Sequence, residues 1–178
     1  MARRPIVLYP DKVLTTPTRE VTAVDDDLRQ LVKDMVETMH AEPGVGLAAN
    51  QIGDPRRVLV IDLTAGEEPG HVKVFLNPKI LETTGSQSGD EGCLSFPGIF
   101  ESVTRPLRVR FSGFDLDMNP VEEVAEEFYA RAVCHEVDHL DGITFLQRMS
   151  PLKRRLVARR IDKLRREGEW GQPEAAAL

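Results

Sequence analysis

His135, Glu136 and His139 form an H-E-x-x-H unit inside the stretch Ala130-Arg131-Ala132-Val133-Cys134-His135-Glu136-Val137-Asp138-His139-Leu140. On a helix, residues four apart lie on one face about one turn apart, so both imidazoles can reach one metal ion while Glu136 stands beside them as a proton carrier. The chemistry that suits this set is a metal-activated water. The alternative is a helix whose two histidines are ordinary polar groups, facing solvent or hydrogen-bonded in a core. Open metal sites take three protein ligands, so a third donor is needed. Downstream there is none: Phe145 stands where a metzincin needs histidine, and Arg159 stands about twenty residues on, where a thermolysin-like site uses glutamate. Upstream, Glu91-Gly92-Cys93-Leu94-Ser95 offers a cysteine on a glycine-flanked loop. Thiolate with two imidazoles is an accepted set for zinc or ferrous iron, which makes Cys93 the expected third ligand.

Three segments, Gly44-Val45-Gly46-Leu47-Ala48-Ala49-Asn50-Gln51, then Glu91-Gly92-Cys93-Leu94-Ser95, then His135-Glu136-Val137-Asp138-His139, resemble in order the three motifs of bacterial-type peptide deformylases. Ile6-Val7-Leu8-Tyr9-Pro10-Asp11 and Leu140-Asp141-Gly142-Ile143 also look like that family, so the resemblance covers most of residues 5 to 150. Cys134 stands where the family commonly has Gln, and Glu127 and Gln147 stand where Gly and Asp are common; these departures bear on pocket shape more than on chemistry.

The resemblance implies removal of the formyl group from the N-terminal formylmethionine of newly made polypeptides, with release of formate. It implies a metal held by Cys93, His135 and His139, a hydroxide generated there that attacks the formyl carbon, and Glu136 as general base and then general acid. The Gln51 side-chain amide and the Leu94 backbone N–H are implied to face the formyl oxygen as charge develops on it. Val45, Gly46 and Gly92 are the positions where the family pairs its backbone with the extended peptide, a form of strand addition. The face one and two turns before His135 offers Phe128, Arg131 and Ala132 for the methionine side chain, with Val45 opposite and the Arg131 stem lining the pocket while its head reaches solvent. Glu91 and Arg105 are expected to pair in support of the cysteine loop. The family's usual metal is Fe(2+), although this donor set also suits Zn(2+), Ni(2+) and Co(2+).

Two other readings compete. A non-catalytic metal-containing binding module of the same fold would normally close its site with four protein ligands and would have no use for Glu136. A metallopeptidase acting on ordinary amides is disfavoured by the missing downstream ligand. The glycine segment also matches a weak dinucleotide fingerprint with Asp62 as the ribose acid, but it follows a helix and Gly53-Asp54-Pro55 breaks any helix after it. A turn whose glycines admit a substrate backbone is the better reading.

These residues must be positioned by a chain of 178 residues, 41% hydrophobic and 29% charged, which suits one globular domain with a real core. Residues 1–150 read as the catalytic domain and 151–178 as a C-terminal helix and tail of the same domain. Asp25-Asp26-Asp27 precedes Leu28, Leu31, Val32, Met35, Val36 and Met39 at helical spacing, and Pro43-Gly44 stops the run. Strands are expected at 56–63, 72–76, 80–84 and 103–111. Residues 121–140 fit a helix throughout by periodicity, whereas the resemblance implies a strand ending near Glu126 and a helix from there; the second reading is adopted. The fold class is α+β, with antiparallel-rich sheets packed around a central H-E-x-x-H helix, an N-terminal helix and a basic C-terminal helix.

The longest aliphatic run, Val58-Leu59-Val60-Ile61, is far too short to span a bilayer, and no signal peptide is evident, so a cytoplasmic protein with no membrane partner is expected. In a reducing compartment Cys134 reads as buried and inert. Net charge is −6, yet residues 148–166 hold nine Lys or Arg against Asp162 alone, which leaves −14 on the remainder. An acidic body argues against DNA binding, while the basic segment suits local contact with a polyanion. Ser150-Pro151 start a loosely amphipathic helix there, able to pack on the domain or to lie free. The resemblance implies docking of this helix on the ribosome, and a monomer is expected.

Overall fold

A computed structural model of the chain describes residues 3–42 and 44–171. Helix α1 (Asp26–Ala41) begins where the Asp25 carboxylate accepts a 2.8 Å hydrogen bond from the Leu28 N–H, and Asp26 and Asp27 add negative charge to the positive end of the helix. Its inner face buries Leu28, Leu31, Val32, Met35 and Met39, as the spacing predicts. Pro43, read as the stop signal, lies outside the described residues.

Seven strands follow: β1 (Gly46–Ala48), β2 (Val58–Ile61), β3 (Lys73–Thr84), β4 (Gln87–Gly92), β5 (Phe100–Arg105), β6 (Arg108–Phe114) and β7 (Pro120–Glu126). Five of them form an antiparallel sheet in the order β1-β2-β3-β6-β7, and β4 with β5 forms a separate two-stranded hairpin. Both faces of the larger sheet are covered. Val58 and Val60 pack toward α1 with Leu31, Met35 and Met39, while Leu59 and Ile61 pack toward helix α2 (Glu127–Leu140) with Val133 and Val137. Strand side chains alternate between faces, so a strand covered on both sides reads as the unbroken apolar run Val58-Leu59-Val60-Ile61.

Three boundaries differ from expectation. Residues 72–76 and 80–84 belong to one long strand, β3, whose register against β6 shifts around Asn77-Pro78. Pro78 has no N–H for the ladder, and Asn77, at φ 51°, turns its side chain to bond both the N–H and the C=O of Val21 at 2.8 Å. The expected strand 103–111 is instead split at Pro106, so its halves serve different sheets. The glycine segment read as a turn forms β1, paired to β2 on one side only, followed by a 3-10 turn at Ala49–Ile52. Asp62 serves its own turn, accepting from the Thr64 and Gly66 N–H groups and from His40 Nε2.

The passage from β7 into α2 falls at Glu126, where the resemblance put it. Glu127, at φ 50°, makes the corner and donates its N–H to Leu107 O at 2.8 Å. Gln147 accepts from the Thr144 N–H at 2.6 Å and so braces the short turn Phe145–Arg148.

Helix α3 (Pro151–Glu167) starts at Ser150, whose hydroxyl accepts from the Lys153 N–H, and ends at Gly168 with φ 72°. It does not lie free. Val157 and Ile161 are buried in one cluster with Phe96, Ile99, Phe145 and Leu146, and Trp170 donates its indole N–H to Tyr9 O at 2.8 Å. Leu152 and Leu156 face outward, 68% and 56% exposed. Among the described residues no helix is long and apolar enough to cross a membrane. Ile161→Ala should cost about 2–5 kcal/mol in a urea melt, the range for emptying a buried aliphatic site. Leu156→Ala, on the outer face, should stay within about 0.5 kcal/mol.

Candidate active site

Helix α2 carries His135, Glu136 and His139 inward, and the turn after β4 brings Cys93 to them. His139 Nε2 lies 3.1 Å from His135 Nε2 and 3.2 Å from Cys93 Sγ, and one ligand atom from each of the three residues falls within 4.8 Å of the other two. Ligand atoms around a tetrahedral ion with ordinary metal–nitrogen and metal–sulfur bonds stand about 3.3–3.6 Å apart, so His139 lies within a few tenths of an ångström of ligand spacing from both partners, and the three donors converge as one ion requires. Cys93 and both histidines, named from spacing, are thus brought together.

The orientation of His135 has a specific cause. Its Nδ1 lies 2.6 Å from Glu91 Oε1, which turns Nε2 toward the shared point. A carboxylate behind a metal histidine fixes the ring and raises its basicity. Glu91 is itself held by Arg105, through Nε at 3.1 Å and Nη2 at 2.7 Å, and by Arg131 Nη1 at 2.9 Å. Arg105 Nη1 also reaches Asp138 at 2.5 Å, and Arg148 closes the network with two bonds to the same carboxylate. Burial opposes ionisation of Glu91, but hydrogen bonds from His135 and Arg105, with their positive charge, hold its carboxyl well below the usual range. The expected Glu91–Arg105 pair is therefore a buried ion pair. Asp138 and Arg148 were not anticipated; the available signal was an acid on the inward face of a buried helix, which needs a cationic partner.

Glu136 is 4% exposed, and burial pushes its carboxyl up to about 7, against the lowering effect of His135. Its Oε2 has no partner among the described residues, so it is available to a ligand. Gly46 crosses directly over it: a Cβ there would lie 2.5 Å from Glu136 Oε1 and 2.9 Å from Cδ. Burial also pushes the Cys134 thiol up to about 11, which leaves it an inert neighbour of the ligand helix.

Gln51 accepts the Ala48 N–H on Oε1 at 2.9 Å, which aims its amide nitrogen at Ser95 Oγ (3.3 Å) and Cys93 Sγ (3.5 Å). Asn50 Nδ2 donates to His139 O at 2.6 Å and ties this turn to α2. Leu94 follows Cys93 in the same turn, and its N–H meets no acceptor among the described residues. Val45 and Gly46 lie along the open edge of the sheet, and Gly92 ends β4, where its Cα faces the Phe100 ring. Of the side chains read as a methionine pocket, Phe128 is 54% exposed and Ala132 is buried. Arg131 departs from expectation: its head is not in solvent but turned inward onto Glu91 and Val103 O, because a buried carboxylate already shared with His135 offers it a stronger partner than water does.

A helix bearing H-E-x-x-H, a cysteine from a neighbouring loop and an open sheet edge beside them define the class of a metal-dependent hydrolase. A family model for polypeptide deformylase matches residues 3–155, and the chain belongs to that family. It is 49% identical to the peptide deformylase of Acidobacterium capsulatum over 170 residues, covering 96% of this chain and 100% of that one. The crystal structure of a peptide deformylase from Legionella pneumophila superposes with a TM-score of 0.86 at 37% identity, covering 94% of this chain and 98% of that one. A Synechococcus elongatus peptide deformylase in complex with actinonin gives 0.84 at 37% identity, covering 90% and 86%. Gly46→Ala is expected to retain metal yet lower turnover about a hundredfold or more, because the new methyl displaces Glu136. Unchanged formate release would show that the carboxylate has room to spare.

Proposed function

We infer that this site hydrolyses the formamide of an N-terminal formylmethionine, releasing formate and freeing the amine of a newly made polypeptide. The observation that carries this reading is Glu136, a buried carboxylate with an unpartnered oxygen beside a convergent thiolate and two imidazoles. Cys93, His135 and His139 would hold a divalent metal. Such an ion supplies water activation, by analogy with zinc enzymes where the water pKa falls to about 7, and polarisation of the formyl oxygen.

The remaining work belongs to the chain. Glu136 takes the proton of the attacking water and passes it to the departing nitrogen, so one carboxylate serves as base and then as acid. The Gln51 amide and the Leu94 N–H face the oxygen on which negative charge develops, and a fixed donor of this kind is typically worth about a hundredfold to a thousandfold in rate. Val45 and Gly46 on one side and Gly92 on the other pair with the extended peptide. Phe128, Arg131 and Ala132 bound the space for the methionine side chain. A binding module without turnover would want a fourth protein ligand, and no fourth donor joins the three among the described residues.

Ferrous iron is the proposed resident metal, supported by a donor set of one thiolate and two imidazoles, with zinc, nickel and cobalt as ions the same set accepts. The protein is proposed to act as a monomer in the cytoplasm, with residues 1–150 as the catalytic domain and the C-terminal helix as part of it. Metal analysis of anaerobically purified Glu136→Ala, alongside formate release from a formyl-Met peptide, tests the central role. Metal should be retained while turnover falls about a hundredfold to ten-thousandfold; parallel loss of both would assign Glu136 to metal retention instead.

The ribosome is the proposed docking partner of α3. Arg154, Arg155, Arg159, Arg160, Arg165 and Arg166 are all exposed on it. Deleting the helix would strip Val157 and Ile161 from the core, so charge reversal is the cleaner test. Reversing Arg154, Arg155 and Arg159 to Glu should weaken ribosome co-sedimentation and flatten its salt dependence by roughly one logarithmic unit for each phosphate no longer neutralised. Salt-insensitive binding of the unaltered chain would contradict phosphate docking.

A further inference from the structure

Strand β4 and helix α2 face one another beside the site in regular steps. Gln87 Nε2 donates to Glu127 O at 2.7 Å, Gly89 lies against Arg131, and Glu91 meets His135, so strand residues two apart face helix residues four apart. At the middle step a glycine faces an arginine. A Cβ added to Gly89 would lie 3.3 Å from Arg131 Nη2, so the guanidinium fills the space that a side chain on β4 would otherwise take.

Arg131 is only 6% exposed, and two of its bonds are accounted for: Nη1 donates to Glu91 Oε2 at 2.9 Å and to Val103 O at 3.0 Å. Its Nε and Nη2 hydrogens meet no acceptor among the described residues, and neither nitrogen is among the buried atoms sealed from solvent. These two nitrogens therefore keep contact with solvent, and an acceptor that arrives with a ligand can take the place of the water that completes them in the free chain.

We propose that Arg131 is a specificity-determining residue that lets the first substrate side chain carry an oxygen, so that chains beginning with formyl-methionine sulfoxide are deformylated as well as those beginning with the thioether. This rests on the reading of the centre at Cys93, His135 and His139 as the formylmethionine site. Every such substrate starts with methionine, so the chemical variation that side chain undergoes is oxidation at sulfur, which turns an apolar thioether into a polar group with a strong acceptor oxygen. An all-apolar pocket would leave that oxygen unpaired. Here the Nε and Nη2 hydrogens answer it, while the aliphatic stem of Arg131 and the Phe128 ring one turn earlier on α2 serve the unoxidised form. The reaction is the same hydrolysis: the formyl C–N bond breaks, hydroxyl adds to carbon and a proton to nitrogen, and the oxidation state of sulfur is unchanged.

The test compares kcat/KM for formate release from formyl-Met-Ala-Ser and from its sulfoxide, using the metal-loaded full chain. The unaltered protein should handle the two within about tenfold. In Arg131→Met the sulfoxide should fall further than the thioether by about tenfold or more, the worth of a bond to a charged donor, and Arg131→Lys should recover part of that difference. Metal content, measured in each variant, separates this effect from any disturbance of His135 through Glu91. A sulfoxide rate more than about a hundredfold below the thioether rate in the unaltered protein would overturn the proposal by itself. So would an equal fall on both peptides in Arg131→Met with metal retained. Formate from neither peptide would defeat the reading of the site instead.

Discussion

Glu91 accepts from Arg105 and Arg131 on one side and lies 2.6 Å from His135 Nδ1 on the other, and this convergence on a buried carboxylate ties the cysteine loop to the ligand helix. Cys93 and His139 are far apart in the chain, yet Cys93 Sγ lies 3.2 Å from His139 Nε2. Buried charge pairing braces this meeting, and Arg105 extends it through Asp138 to Arg148 in the turn after α2. Buried ion pairs are weak evidence for stability, because desolvation cancels much of their attraction. Their use here is orientation. The carboxylate that costs free energy to bury is the one that fixes which nitrogen of His135 faces the metal.

The chemistry was more legible than the scaffold. H-E-x-x-H declares itself because its function is carried by helical spacing, and Cys93 follows from the empty downstream positions. Glu91 and Arg105 could be paired on charge alone. Asp138 and Arg148 could not, because their meeting depends on how the turn after α2 returns the chain, which no local pattern records. Arg131 was placed on the correct helix face with its head reversed, since a single-sequence reading cannot see that Gly89 leaves room for it. The strand errors share one origin. Pro78 sits at a bulge in one long strand where two short ones were expected, and Pro106 divides the span 103–111 expected as one strand, so proline marks an irregularity without saying which kind.

Strand β1 pairs with β2 alone and leaves its other edge open beside Glu136, and an edge strand of this kind offers free backbone donors and acceptors. Gly46 lets β1 run across Glu136 at a distance no larger residue permits. Helix α3 belongs to the same design: Val157 and Ile161 complete the cluster that also holds Phe96 and Phe145, so the basic outer face is carried on a helix rooted beneath the cysteine loop.

The central claim is that one ion is held by a single thiolate and two imidazoles, with a position left open for water. X-ray absorption spectroscopy on the anaerobically metal-loaded chain reads this directly. The account predicts one sulfur at about 2.3 Å and two imidazole nitrogens at about 2.0–2.1 Å, together with a light oxygen scatterer. A shell without sulfur, or a closed shell of four protein ligands, would contradict it.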